Sequence, residues 1–292
     1  MSYNVFLGCT IPTRQMNYEQ SAREVAKTLG IQLFDDGYGC CGFPLEPFDE
    51  VKALAMAAAN IMKASNSNRD LVALCSACGE MLCKTEKRLG EDETALKAVN
   101  KILAQANIEY KGEKPRVIHF ARMLHDDYGL EKLKAHVKNP LTKLKIASHP
   151  GCHYVRPSAL YPGFDDPEFP GTLDGLVEAT GAQPLDYEGK TDCCGGSILA
   201  VREDVAKTMT GKKLLELIGK ADALVVICPF CGIMYDKYQK TLEEELQKQL
   251  GIPIIYYPQL LGLALGIDPS KLGFDINSVS VEGLLVKAGA SK

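Results

Sequence analysis

The chain has no tryptophan, no run of about eighteen apolar residues, no block of lysine and arginine, and no GxGxxG glycine pattern. Each absence excludes something. Without a long apolar run no membrane-spanning helix is expected, and the start, MSYNVFLGCTIPTRQ, lacks the basic-then-apolar pattern of a secretion signal. A cytoplasmic protein is therefore expected. The formal net charge of −4 and the scattered basic residues remove the electrostatic footprint of a nucleic-acid binder. The missing glycine fingerprint argues against a dinucleotide site, and no short run crowds several cysteines at ferredoxin-type spacing. Composition is otherwise that of a globular chain: 292 residues, 46% hydrophobic and 24% charged, a length that suits two domains.

What the chain does have is cysteine, eleven of them, and ten fall into two copies of one pattern. The first copy is Cys9, Cys40-Cys41 and Cys75-x-x-Cys78; the second is Cys152, Cys193-Cys194 and Cys228-x-x-Cys231. Cys40 and Cys193, Cys75 and Cys228, and Cys78 and Cys231 are each 153 residues apart, whereas Cys9 and Cys152 are 143 apart. The second half thus carries ten extra residues between its leading cysteine and its pair, which the Pro/Gly/Asp-rich stretch Arg156 to Gly171 is expected to hold as a surface loop. The flanks repeat as well, Gly8 with Gly151, Gly42 with Gly195, and Leu71 to Leu74 with Leu224 to Ile227. A duplication of this length means two homologous domains, 1–139 and 140–292, with the seam at Asn139-Pro140.

Hydrophobic spacing predicts alternating helices and strands in both halves. Helices are expected over Tyr18 to Leu29, Phe48 to Ala64, Thr172 to Thr180, Glu203 to Ile218 and Tyr235 to Leu250. Short apolar strands are expected at Ile31 to Phe34, Leu71 to Leu74, Val117 to Phe120, Lys145 to Ser148, Pro184 to Tyr187, Ala223 to Ile227 and Pro253 to Tyr257. That alternation points to an α/β fold, two small, mostly parallel sheets flanked by helices. Cys75 and Cys228 each follow an apolar run and precede a helical segment, so both CxxC motifs are expected at helix N-termini, where free N–H groups favour thiolate.

In a reducing compartment such a pattern reads as metal-binding or catalytic rather than as a disulfide framework. Structural zinc takes four ligands, so five thiols per half overfill it, and two adjacent cysteines diverge too much for one ion but suit a polynuclear body. Ligand arithmetic therefore favours an iron–sulfur centre, with zinc and a dithiol/disulfide relay as the alternatives.

The two cysteine sets, together with HPGCHYVRPS (149 to 158), FDDPEFPGTLDGLVEATGA (164 to 182), DCCGGS (192 to 197), VVICPFC (225 to 231) and YYPQLLGLALGI (256 to 267), resemble the cysteine-rich CCG-domain family over the whole chain. Within it they most resemble the catalytic B subunits of heterodisulfide reductase from methanogenic archaea. The resemblance implies two CCG domains related by a pseudo-two-fold, each binding a non-cubane [4Fe–4S] cluster. Cys9, Cys40, Cys41, Cys75 and Cys78 would hold the first and Cys152, Cys193, Cys194, Cys228 and Cys231 the second, with zinc in one half as a variant within the wider family. It implies reduction of the coenzyme M–coenzyme B disulfide between the clusters. Electrons would come from an iron–sulfur C subunit and a flavin-containing A subunit, with a hydrogenase further upstream. The first half departs slightly, continuing Cys40-Cys41-Gly42-Phe43-Pro44.

Beyond the cysteines, Arg14 and Arg156 follow the two leading cysteines and are candidates for the anionic groups of such a substrate. Interdomain or surface ion pairing is their alternative role. His153, next to Cys152, is the candidate proton donor, with His149 the weaker one. Cys83 has no repeat partner and reads as a small buried side chain. His119, His125 and His136 read as structural, and Leu260 to Leu265 with Tyr256 and Tyr257 as core packing or a subunit contact. Two further functions compete: a cluster subunit of a quinone-linked oxidoreductase, and a zinc scaffold without catalysis.

Overall fold

The computed structural model describes residues 1–112 and 115–290. Among these, eight strands form two four-stranded sheets, and every pairing is parallel. The first half runs β1 (Ser2–Phe6), α1 (Ile11–Arg14), α2 (Met16–Thr28), β2 (Gln32–Phe34), α3 (Glu50–Ser65), β3 (Leu71–Ala73), α4 (Ser76–Glu91), α5 (Glu93–Leu103), β4 (Val117–His119), α6 (Phe120–Arg122) and α7 (Leu130–His136). The second runs β5 (Lys145–His149), α8 (Thr172–Ala179), β6 (Gln183–Leu185), α9 (Glu203–Leu217), β7 (Ala223–Val226), α10 (Pro229–Gly232), α11 (Gln239–Leu246), β8 (Ile254–Tyr256), α12 (Tyr257–Ala264) and α13 (Glu282–Lys287).

The strand orders are β2-β1-β3-β4 and β6-β5-β7-β8. In each sheet the chain places its second strand on one side of the first, then crosses to the other. The carboxyl ends of β1 and β3, and of β5 and β7, are therefore topological switch points, where open parallel sheets hold their ligands. Cys9 and Cys75 leave the first such crevice, Cys152 and Cys228 the second. The central strands β3 and β7 are buried along their whole length, as apolar runs in parallel sheets must be.

Local chemistry sets the element ends. Gly30, at φ +72°, closes α2 with its N–H on Lys27 O (3.2 Å) while Ile31 N reaches Ala26 O (2.8 Å). Asp49 caps α3 through Lys52 N and Asp92 caps α5 through Thr94 N and Ala95 N.

Several elements differ from the expectation drawn from sequence. Strand β1 is not foreshadowed by an apolar run, because Asn4 interrupts it; its amide is satisfied by Ser67 Oγ and Arg69 Nε. Helices α5, α7, α12 and α13 are likewise additional to the expected elements. The helix expected from Tyr235 instead begins at Pro229, widens into a π-helical turn over Ile233–Lys237 and ends at Leu246, so an α-helical period does not fit it.

The halves dock reciprocally. Helix α12 packs on α2, and α7 packs on α8, so the helix after the last strand of each half covers the first long helix of the other. One apolar core runs through both, and Leu260 to Leu265 lies inside it. Tyr18 stacks on Tyr256 with centroids 4.1 Å apart. The carbonyl of Ile227, immediately before Cys228, accepts from first-half Tyr18 Oη (3.1 Å) and Ser76 Oγ (3.5 Å) and meets His119 Nε2 at 3.1 Å. First-half side chains thus hold the backbone just before Cys228 in the second half.

Candidate metal centre

Each cysteine pair sits on a tight loop that glycine makes possible. Gly42 (φ +92°) and Gly195 (φ +84°) lie against the next helix. A Cβ on Gly42 would fall 2.5 Å from Ala53 O in α3, and one on Gly195 2.8 Å from Ala206 O in α9. Their N–H groups point at Cys40 Sγ (3.4 Å) and Cys193 Sγ (3.3 Å), and Gly196 N at Cys194 Sγ (3.4 Å). Cys75 is the N-cap of α4 and Cys228 that of α10, as their positions in the sequence imply.

The ten repeated cysteines form one unbroken series of neighbouring thiols. It runs Cys9, Cys40, Cys41, Cys78, Cys75, then across the interface to Cys228, Cys231, Cys194, Cys193 and Cys152. Cys194 and Cys231 are 3.5 Å apart at sulfur. Along the series S–H groups share protons unequally. The neighbouring thiols hold three members below the usual thiol range: Cys40 and Cys78 act on Cys41, Cys152 and Cys194 on Cys193, and Cys231 and Cys75 on Cys228. Cys78 and Cys231 are pushed up by the same sharing and by burial. All eleven cysteines are free thiols.

The donor set fits a polynuclear thiolate-bound group. Each half offers five sulfurs, more than a four-coordinate zinc uses. In the first half the backbone also comes close where such a group needs room: a Cβ on Gly8 would lie 2.8 Å from Cys78 Sγ. The first set is the less covered, with Cys9 exposed and Cys40 half-buried.

Both sets open toward the domain interface. The hollow at the second set is lined by first-half Phe43, Ser76 and Ala77, and that at the first set by second-half Pro229 and Phe230. Phe43 and Phe230, with ring centroids 6.2 Å apart, also line a cleft of about 710 Å³ between the halves. Its wall is mainly apolar, including Leu199 and Met234, with Arg14 as its cation and Glu46 and Glu203 as its acids.

The sequence candidates separate here. Arg14 lines the cleft and is exposed. Arg156 does not line it: its Nε and Nη2 both donate to Pro167 O, closing the 156–171 loop on itself. His153 is beside the second thiol set, edge-on to Phe43 at 4.8 Å between ring centroids, with Nδ1 3.7 Å from Glu80 Oε2 of the first half. Burial holds His153 below the usual imidazole range and pushes Glu80 up to about 7. His149 is 1% exposed and burial takes it down to about 3, while burial lowers its neighbour Lys213 to about 8. Cys83 is half-buried in a separate small hollow with His119 and Tyr161. Phe230, Glu80 and Lys213 are not singled out by sequence, and Phe43 is marked there only as part of the departure after the first cysteine pair; Lys213 stands 153 residues after Asn60, on the cysteine offset.

The profile of the CCG cysteine-rich domain family matches twice, over residues 3–83 and 146–236. The chain is 35% identical to the B subunit of the ferredoxin:CoB-CoM heterodisulfide reductase of Methanosarcina mazei, over 97% of this chain and 96% of that one. It is 33% identical to a heterodisulfide reductase B-subunit-like protein of Archaeoglobus profundus, over 93% of each. It is 31% identical to the 8-methylmenaquinol:fumarate reductase membrane anchor subunit of Wolinella succinogenes, over 96% and 97%. Among the described residues no helix is long and apolar enough to cross a membrane. A hypothetical protein from Helicobacter pylori shares the fold, with a TM-score of 0.77 at 13% identity, over 96% of this chain and 52% of the other. The relatives are subunits of reductase complexes, and the chain belongs to the heterodisulfide reductase B-subunit family of proteins with a duplicated CCG cysteine-rich domain.

Proposed function

We propose that the chain is the disulfide-reducing iron–sulfur subunit of a reductase complex, with the coenzyme M–coenzyme B heterodisulfide as substrate and two non-cubane [4Fe–4S] centres as cofactors. The observation that carries this reading is the ten-thiol series that crosses the interface at Cys75 and Cys228 beside a cleft shared by both halves. Relatives named for that activity, matched over nearly their whole length, support the substrate. Cys9, Cys40, Cys41, Cys75 and Cys78 would hold one centre and Cys152, Cys193, Cys194, Cys228 and Cys231 the other. When bound, such centres supply one-electron reduction, and two of them match the two electrons a disulfide takes up.

The chain's own residues then have distinct tasks. Phe43 and Phe230 keep water from the space between the thiol sets. Arg14 offers its guanidinium fork to an oxyanion of the substrate in the cleft. Arg156 braces its own loop through Pro167 O. His153 stands where a proton is needed by a departing thiolate, with the Glu80 carboxyl behind it. The electrons come from partner subunits, an iron–sulfur protein and a flavoprotein.

A quinone-linked role is the second reading. The relative named as part of a menaquinol:fumarate reductase and the apolar cleft with a single arginine both favour it. Mixing the reduced holoprotein with each oxidant separates the two. Oxidation by the heterodisulfide and not by a menaquinone analogue is the expected result; the reverse replaces the first reading with the second. His153→Gln should slow disulfide turnover roughly a hundredfold at unchanged iron content, and unchanged rates from pH 6 to 8 would remove His153 from the proton path.

A further inference from the structure

The two thiol sets are copies, but what stands behind them is not. Phe6 ends β1 opposite Ala73 in β3, and at the matching register His149 ends β5 opposite Val226 in β7. Asn60 on α3 corresponds to Lys213 on α9, 153 residues on. In the first half the Asn60 amide ties down the loop before the cysteine pair: Gly39 N donates to its Oδ1 (2.9 Å), and its Nδ2 donates to Cys40 O (3.0 Å). In the second half the Lys213 ammonium does this work, donating to Asp192 O (2.9 Å), Lys190 O (3.1 Å) and His149 Nδ1 (2.8 Å).

Those three acceptors use all three N–H bonds of an ammonium. His149 Nδ1 also lies 3.3 Å from Lys190 O, but the ammonium is the nearer partner at 2.8 Å and that carbonyl already accepts from it; Nδ1 is therefore assigned as an acceptor, which puts the single ring proton on Nε2. That Nε2 is buried and finds no hydrogen-bond partner among the described residues. The ring also offers a nitrogen within 4.8 Å of both Cys194 Sγ and Cys231 Sγ. A buried N–H without an acceptor is costly. A thiolate or inorganic sulfide at this place would supply the acceptor, and the first half has no counterpart, because Phe6 has nothing to donate.

We infer that His149 and Lys213 form a donor pair for the second-half centre alone: His149 Nε2–H donates to sulfur of that centre, with the Lys213 ammonium behind it, so this centre accepts an electron at a higher potential than its first-half copy. The inference rests on the reading that iron–sulfur centres are held. Hydrogen bonds to cluster sulfur and a buried cation nearby both favour the reduced, more negative state. Lys213 acts through His149 and is a positioning residue. The more exposed first-half centre, at Cys9, then receives electrons and the second-half centre keeps them.

The test is an EPR-monitored redox titration of anaerobically prepared holoprotein, with iron and sulfide counted first. His149→Phe and Lys213→Asn each place the first-half residue in the second half. Each should lower the midpoint potential of one centre, leave the other unmoved and retain full iron, and His149→Gln, which keeps an N–H donor, should recover part of the shift. Unchanged potentials, or equal shifts in both centres, overturn the inference. Should a variant lose its centre, pulsed EPR of wild-type protein carrying ¹⁵N-histidine decides: coupling of one centre to an imidazole nitrogen is expected, and its absence overturns the inference. Zinc without sulfide in the wild-type protein would overturn the underlying cluster reading instead, which is distinct from an iron-replete protein whose potentials ignore His149.

Discussion

Gly42 and Gly195 show at the scale of one residue why the cysteine pair is followed by glycine. Each has positive φ and faces the backbone of the next helix, at Ala53 and Ala206, so an added methyl has neither a relaxed conformation nor a soft neighbour to displace. The left-handed conformation alone costs a non-glycine residue about 1–3 kcal/mol. Gly42→Ala and Gly195→Ala should each lose about half the bound iron, whereas Gly283→Ala, with open space around it, should lose none; iron per chain checks this. These glycines, like the ten thiols, are legible because the repeat displays them twice. Glu80 against His153 is not, since their approach depends on how the halves dock. The Arg156 side chain shows the converse: its position after Cys152 points toward the cleft, but the carbonyl of Pro167 in its own loop captures it.

At the scale of elements, the loops after β1, β3, β5 and β7 carry Cys9, Cys75, Cys152 and Cys228 to the places where the strand order makes the carboxyl ends diverge. The alternation of helix and strand is readable from apolar runs, but β1 is hidden by buried Asn4 and the helix after Cys228 by its π-helical turn. Pairing of α2 with α12 leaves no trace in local pattern either, because a helix face shows that it is apolar and not what covers it. Tyr18 on α2 reports on this docking through its bond to Ile227 O. Tyr18→Phe removes one buried hydrogen bond while His119 and Ser76 still serve the carbonyl, so unfolding free energy should fall by about 1 kcal/mol with iron content unchanged. Chemical denaturation measures the first and metal analysis the second.

At the scale of the molecule, duplication has produced two sites that are completed by each other's half. Phe43 reaches the second site, Phe230 the first, and Cys75 meets Cys228 at the junction. A segment of residues 1–139 would leave the α2 face without α12 and the first site without Pro229 and Phe230. Expressed alone it should retain no iron, and a stable iron-bearing fragment would show that the halves are independent. The central claim is that both thiol sets hold iron–sulfur centres that act together on a disulfide. Its most direct test is the iron, zinc and acid-labile sulfide content of anaerobically purified protein, with an EPR spectrum after adding one thiol half of the heterodisulfide. About eight iron and eight sulfide per chain and a thiol-dependent paramagnetic signal are expected; two zinc, no sulfide and no signal would contradict it.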